Sequence, residues 1–322
     1  MKTLHILQRK SVWIAGAFLF AALFIGGCSQ VSDTGTVSLA VTDAPIVDAA
    51  DVEGVYIKID SIAYNVDNTW VNADDFEGPQ TFNLLELNNG NVEPLANTSL
   101  SSGTVTQIRF ILEASTRGTH TSSGCYVAID PDGTADGDPS DDVHEPLFLP
   151  SGSQTGYKAN GPFDVPVNGT VEITADFDVR KSVVYTGNRG TGSGTYLLKP
   201  TIRLIVNDQA GSISGDFTPD TAGHFNSYVI FAYESGTYSS SEETAEDDES
   251  PAFANAVSST SPIDSNGDEV PDTYTLAFLA PISYDLIIAG VDTAGSMLVT
   301  STDDYTNITV TSEGDNTIDI EL

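Results

Sequence analysis

The most constraining feature of this chain is an alternation. Val171, Ile173, Ala175, Phe177 and Val179 occupy every second position, separated by Glu172, Thr174, Asp176 and Asp178. In an extended chain successive side chains point to opposite faces, so this run gives one face to a core and the other to water. The same period recurs at Val37, Leu39 and Val41. It recurs at Val55, Ile57 and Ile59, continuing to Ile62, and at Ile108, Phe110 and Leu112 with Arg109 on the opposite face. The apolar run Pro146–Pro150 is bounded by prolines, which predicts an edge strand, and 196–206 reads as one closing strand whose Pro200 requires an edge or a bulge. Further on come Tyr228–Tyr233, Tyr274–Leu279, Tyr284–Val291, Ile308 with Val310, and Ile318, Ile320 and Leu322. Helix signals are scarce, and Gly, Thr, Ser, Asn and Asp fill the gaps. The expectation is an all-β protein made of two β-sandwich domains in tandem.

Charge sets the boundary between them. The chain carries 46 Asp and Glu against 12 Lys and Arg, and no Lys or Arg follows Arg203. That shift predicts domains at 35–207 and 208–322. An acidic loop is expected over 235–262, where 239–250 has little to bury and reads as mobile. So negative a surface repels nucleic acid and anionic headgroups, which argues against both as direct partners.

The N-terminus has the form of an export signal. Lys2, Arg9 and Lys10 precede an apolar run from Val12 to Ile25, shorter than the roughly 20 residues a membrane helix needs. It ends in Ile25-Gly26-Gly27-Cys28, which resembles a bacterial lipobox. The resemblance implies cleavage after residue 27, a diacylglycerol thioether and an amide-linked acyl chain such as palmitate on Cys28, and a tether over 28–34. Several acyl chains hold a protein stably on a bilayer. Ser29 in place of Asp implies export to the outer membrane. Cys28 is thereby committed to lipid, which leaves Cys125 alone, so no internal disulfide forms. Its surroundings, Gly124–Ile129, read as a strand that buries it.

Several separated segments resemble a bacterial lipoprotein family known as domain of unknown function 4382. They are Gly35–Pro45, Ser151–Gly156, Asp176–Val183 and Tyr196–Arg203. The likeness covers about 35–207 and implies an exported, lipid-anchored β domain with no activity attached. Arg180, Lys181, Lys199 and Arg203 cluster in these segments, and pairing with Asp176, Asp178 and Asp208 is the expected use of them. Gly211–Gly215, Tyr274–Leu276 and Pro281–Leu286 resemble carboxypeptidase-regulatory-like sandwich domains, which implies a binding or spacer module.

One stretch has the pattern of a calcium loop. Asp264, Asn266, Asp268, Val270 and Asp272 stand at alternating positions, as oxygen ligands do in such loops. The string resembles thrombospondin type 3 and dockerin-like repeats, with two departures. Glu269 takes the glycine position, and Thr275 stands where a bidentate Glu would close the shell. Calcium is the one cofactor expected. The acids between Asp130 and Glu145 fit no ordered ligand template.

No catalytic constellation emerges. His144-Glu145 lacks a second histidine at helical spacing, and Gly190–Gly194 matches neither a nucleophile elbow nor a phosphate loop. The expected function is a lipid-anchored envelope protein acting as a binding or structural module, bound to the membrane through Cys28 and to an unidentified protein or polysaccharide. The alternatives are an envelope hydrolase using paired carboxylates, and a subunit of a surface fibre or adhesin.

Overall fold

The computed structural model describes residues 33–43, 52–115, 124–130, 142–150, 155–187, 194–199, 201–220, 223–244, 251–292, 296–301 and 304–322. Cys28, most of the stretch between Asp130 and Glu145, and 190–193 lie outside them. Residues Thr34–Leu322 form one compact unit.

The N-terminal half is built from thirteen strands. They are β1 (Thr34–Thr42), β2 (Val52–Val66), β3 (Thr69–Asn72), β4 (Gln80–Asn83), β5 (Glu93–Ser101), β6 (Gly103–Leu112) and β7 (Tyr126–Ile129), followed by β8 (Val143–Phe148), β9 (Tyr157–Val165), β10 (Thr170–Asp176), β11 (Val183–Thr186), β12 (Thr195–Leu198) and β13 (Arg203–Val206). They hydrogen-bond in the order β11-β12-β8-β7-β2-β6-β9-β13-β10-β1-β5, with β3 and β4 also on β2. The alternation behaves as its period requires. Val37, Leu39 and Val41, Ile57 and Ile59, and Ile108, Phe110 and Leu112 are all buried in one cluster that reaches from β1 to β12. A sheet whose two ends share one core must curl over itself. Phe110 and Phe177 meet edge to face inside it, ring centroids 5.3 Å apart.

Three local expectations change. The run through Val179 does not stay extended. The strand stops at Asp176, and Asp178 caps a one-turn helix, α1 (Val179–Ser182), by accepting from the Lys181 N–H. Phe177 and Val179 are both buried nonetheless, so the apolar period outlasts the strand. The stretch 196–206 divides into β12 and β13, which join opposite parts of the sheet. Ser182 holds the break: its carbonyl accepts from Lys199 N at 2.7 Å and its Oγ from Thr201 N at 2.8 Å. Finally, β8 is no edge. It pairs with β7 on one side and β12 on the other.

The C-terminal half holds β14 (Gly211–Thr218), β15 (Ser227–Glu234), β16 (Ser258–Thr260), β17 (Thr273–Leu279), β18 (Ser283–Val291), β19 (Met297–Ser301), β20 (Ile308–Thr309), β21 (Asp315–Thr317) and β22 (Ile320–Glu321). β14, β17, β21 and β22 make one sheet, and β15, β16, β18, β19 and β20 make the other. Ile213, Phe217, Ile230, Leu276, Tyr284 and Leu286 share a core. The far face of the second sheet carries Val229, Phe231 and Tyr233, covered by Ala252, Phe253 and Ala256. Two acids at the start of the charge run are engaged by side chains, where a mobile loop was expected. Tyr233 donates to Glu242 at 3.1 Å and Tyr238 to Glu243 at 2.7 Å. Residues 245–250 lie outside the described residues.

Candidate functional site

The loop Asp264–Asp272 is a closed turn between two clamped ends. Ile263 and Thr273 form an isolated antiparallel bridge, with Ile263 N donating to Thr273 O at 2.9 Å. Inside it, the Asp264 carboxylate accepts the N–H groups of Asn266, Gly267, Asp268 and Glu269. Asp272 accepts from Ser265 N at 2.8 Å, from Ser265 Oγ at 3.0 Å and from Asn266 Nδ2 at 2.8 Å. Asn266 Oδ1 takes the Asp268 N–H, and Asp268 Oδ1 takes the Val270 N–H. These donors stabilise the charged carboxylates, so Asp264 and Asp272 sit below their ordinary range; for Asp264 the backbone N–H of Glu269 contributes most. Glu269 adopts the left-handed conformation, φ 69°, beside Gly267 at φ 85°. The turn that a calcium loop needs therefore forms with Glu at the glycine position. Thr275 lies in β17, beyond the clamp, where its N–H donates to Asn89 Oδ1 at 3.0 Å. Among the described residues no group of three or more His, Cys, Asp or Glu converges as a metal would require. The fit is thus in charge and turn shape, with the carboxylates turned toward N–H donors.

The basic cluster finds the expected partners in part. Arg203 Nη2 meets Asp176 Oδ2 at 2.8 Å, and Lys181 Nζ meets Asp178 Oδ2 at 3.0 Å. Asp208 is exposed and stands outside these pairs. Burial raises the Asp176 pKa, the Arg203 charge opposes that rise, and Asp178 adds to it. Arg180 does something composition did not reveal. Its guanidinium, buried, reaches the C-terminal half, where Nη1 donates to the Phe253 carbonyl and Nη2 to Ala256 O at 3.4 Å. It lies over the Phe231 ring at 5.4 Å, and Phe231 stacks on Phe253 at 4.2 Å. Asn89, φ 55°, fastens a second point. It donates to Ser261 O at 2.7 Å and accepts from Thr260 Oγ1 at 2.9 Å.

Two hollows lie along this junction. One of about 20 Å³ is lined by Thr42, Asp43, Asn89, Asp176, Ser258 and Ser259 among others. It pairs two acids, one with a raised pKa, but its volume suits about one water and no glycosyl group. The other, about 450 Å³, opens between Leu204 and Val206 on one side and Phe278 and Pro281 on the other, with Arg203 and no carboxylate in its lining. Cys125 is buried, accepts from Lys58 N at 3.2 Å, and has its pKa pushed up to about 12 by burial. A thiol so held packs as a small apolar group and stays protonated.

Fold and site together define a nearly all-β protein of several packed sheets. The match to the family described as Domain of unknown function (DUF4382) runs over residues 34–200, and the chain belongs to that family. No curated protein matches the sequence. Among solved structures, the chain is similar to a candidate adhesin from Bacteroides ovatus at 7% identity and a TM-score of 0.23, covering 92% of this chain and 94% of that one. It is also similar to the major pilin subunit BcpA of Bacillus cereus at 8% identity and a TM-score of 0.18, covering 89% and 70%. The fimbrial anchor protein Mfa2 from Porphyromonas gingivalis matches at 11% identity and a TM-score of 0.17, covering 88% and 90%.

Proposed function

We propose that this protein is an outer-membrane lipoprotein that serves as a binding or structural module of the cell envelope. The observation that carries the reading is Ile25-Gly26-Gly27-Cys28, which closes a basic-then-apolar leader just ahead of the compact unit beginning at Thr34. In this reading Cys28 carries the lipid, 28–34 is the tether, 35–207 is the family domain, and 208–322 is a carboxypeptidase-regulatory-like sandwich fastened to it by Arg180, Lys181 and Asn89. Membrane fractionation tests it. The native protein should sediment with membranes and carry an acylated N-terminal Cys28, and Cys28→Ser should be recovered soluble. Membrane retention of that variant, or an unmodified N-terminus elsewhere, sinks the proposal.

Calcium at Asp264, Asn266, Asp268, Val270 and Asp272 belongs to the same reading. The left-handed Glu269 and the wrap of four N–H groups around Asp264 favour it. A bound cation would neutralise a loop of four acids. Melting in millimolar calcium should rise, and the rise should vanish in Asp268→Ala. An unchanged melting curve removes calcium from the proposal.

A further inference from the structure

The outward face of the N-terminal sheet carries a patch unlike the rest of the chain. Strands β3, β2, β6 and β9 are neighbours, and their registers align two adjacent rows. One row runs Trp70, Asn65, Gln107, Asn160. The next runs Asn72, Ala63, Arg109, Lys158. The residues alternating with them, Tyr64, Ile108 and Ala159, are in the core, so both rows face away from it. Neither row contains a carboxylate, in a protein with 46 acids and 12 bases.

Among the described residues the two cations in this patch meet no carboxylate. Elsewhere Lys58 meets Glu113 at 2.7 Å, Lys181 meets Asp178 and Arg203 meets Asp176. Among the described residues Arg109 and Lys158 form no ion pair and no side-chain hydrogen bond, and the buried Arg109 Nε meets no acceptor. What holds Arg109 is Trp70: its guanidinium carbon lies 3.8 Å from the indole centroid, with Lys158 Nζ at 5.8 Å. A guanidinium held over an aromatic ring by cation–π attraction still has its planar fork to offer an oxyanion. The amides beside it, with Gln107 Nε2 donating to Asn160 Oδ1 at 2.7 Å, offer both donors and acceptors to hydroxyl groups. Four strands at the usual spacing span roughly 14 Å, the scale of a short run of linked sugar rings.

We infer that this face binds an anionic polysaccharide, with its carboxylate or sulfate groups on Arg109 and Lys158 and its hydroxyls on Asn65, Gln107 and Asn160. Unpaired positive charge on so negative a protein selects an anionic ligand. The indole and the row of amides select a carbohydrate over a peptide. The inference goes beyond the lipoprotein reading and does not depend on Cys28.

The test has a built-in probe. The tryptophans are Trp13 and Trp70, so protein starting at Ser29 retains Trp70 alone and includes the whole compact unit. Titration at low ionic strength with polygalacturonate, and separately with dextran sulfate, should give a saturable change in Trp70 emission with at least one polymer; the pair of titrations separates carboxylate from sulfate. Arg109→Gln should weaken binding about tenfold or more, as loss of a charge-assisted contact does. Lys58→Gln, whose cation is already paired, should leave it unchanged. Circular dichroism and melting establish that each variant is folded. No saturable change with either polymer overturns the inference. So does unaltered binding in the folded Arg109→Gln/Lys158→Gln double variant, and so does equally tight binding of poly-glutamate, which would make the partner an acidic peptide.

Discussion

Lys181 Nζ donates to the Ala256 carbonyl at 2.7 Å, so a lysine in the one-turn helix of the N-terminal half grips a segment of the C-terminal half. Arg180 beside it does the same from a buried position, and the two share Asp178. The basic pair of the family domain is thus a fastening to the next body of the chain.

Removing the buried member of that pair should be costly. Arg180→Met leaves Asp178 with less compensation and frees the Phe253 and Ala256 carbonyls, and breaking a buried charge network costs about 3–5 kcal/mol. Lys181→Met, partly exposed, should cost about 1 kcal/mol. Urea unfolding monitored by circular dichroism measures both, and equal effects from the two would refute the burial argument.

The core of the N-terminal half should be unforgiving at Phe110. This ring is fully buried and meets Phe177 edge to face. Phe110→Ala should lower stability by about 3–5 kcal/mol, the usual range for a deleted core aromatic. A loss below about 1 kcal/mol would mean the sheet collapses to fill the space.

Cys125 should resist thiol reagents. With its pKa pushed up to about 12, almost none is thiolate at neutral pH. In the Cys28→Ser protein, iodoacetamide labelling followed by mass spectrometry should be slow when folded and rapid in urea. Comparable rates in both states would place the thiol near solvent.

Acid should act through the Asp264 loop. The pKa of Asp264 is lowered from its ordinary 3.8 by backbone N–H donors, so its folded form binds a proton less readily than its unfolded form. The resulting stability is present in full above about pH 4 and is lost as the pH falls through the depressed folded value. The melting difference between the native protein and Asp264→Ala should therefore hold from neutrality down to about pH 4 and narrow below it. A constant gap across the pH range would show that charge plays no part.

Much of the architecture was legible because burial follows a period of two. Val37, Leu39, Val41, Ile57, Ile59, Ile108 and Phe110 are inward in the structure, as spacing alone places them. What spacing could not show depends on contacts made far along the chain. Pro146 reads as an edge signal until β12, some fifty residues downstream, arrives beside it. Val179 continues the alternation after Asp178 has turned the backbone into a helix, because a buried helical turn and a buried strand both want an apolar side chain there. Asn89 reads as a polar loop residue, and its bonds to Ser261, Thr260 and Thr275 span more than 170 positions. Glu242 and Glu243 read as a solvated charge run, but two tyrosine hydroxyls claim them. The Asp264–Asp272 loop was visible as a pattern of oxygens, whereas the patch around Trp70 was not, since its rows are assembled from four strands.

The place of β1 in its sheet has a mechanical consequence. The strand begins at Thr34, lies parallel to β10 on one flank and antiparallel to β5 on the other, and so has a ladder along each side. A pull arriving from the N-terminal end runs along the axis of β1, across the direction of those bonds. The load is then shared by both ladders at once, as in a lap joint, and the strand must slide as a whole before it yields.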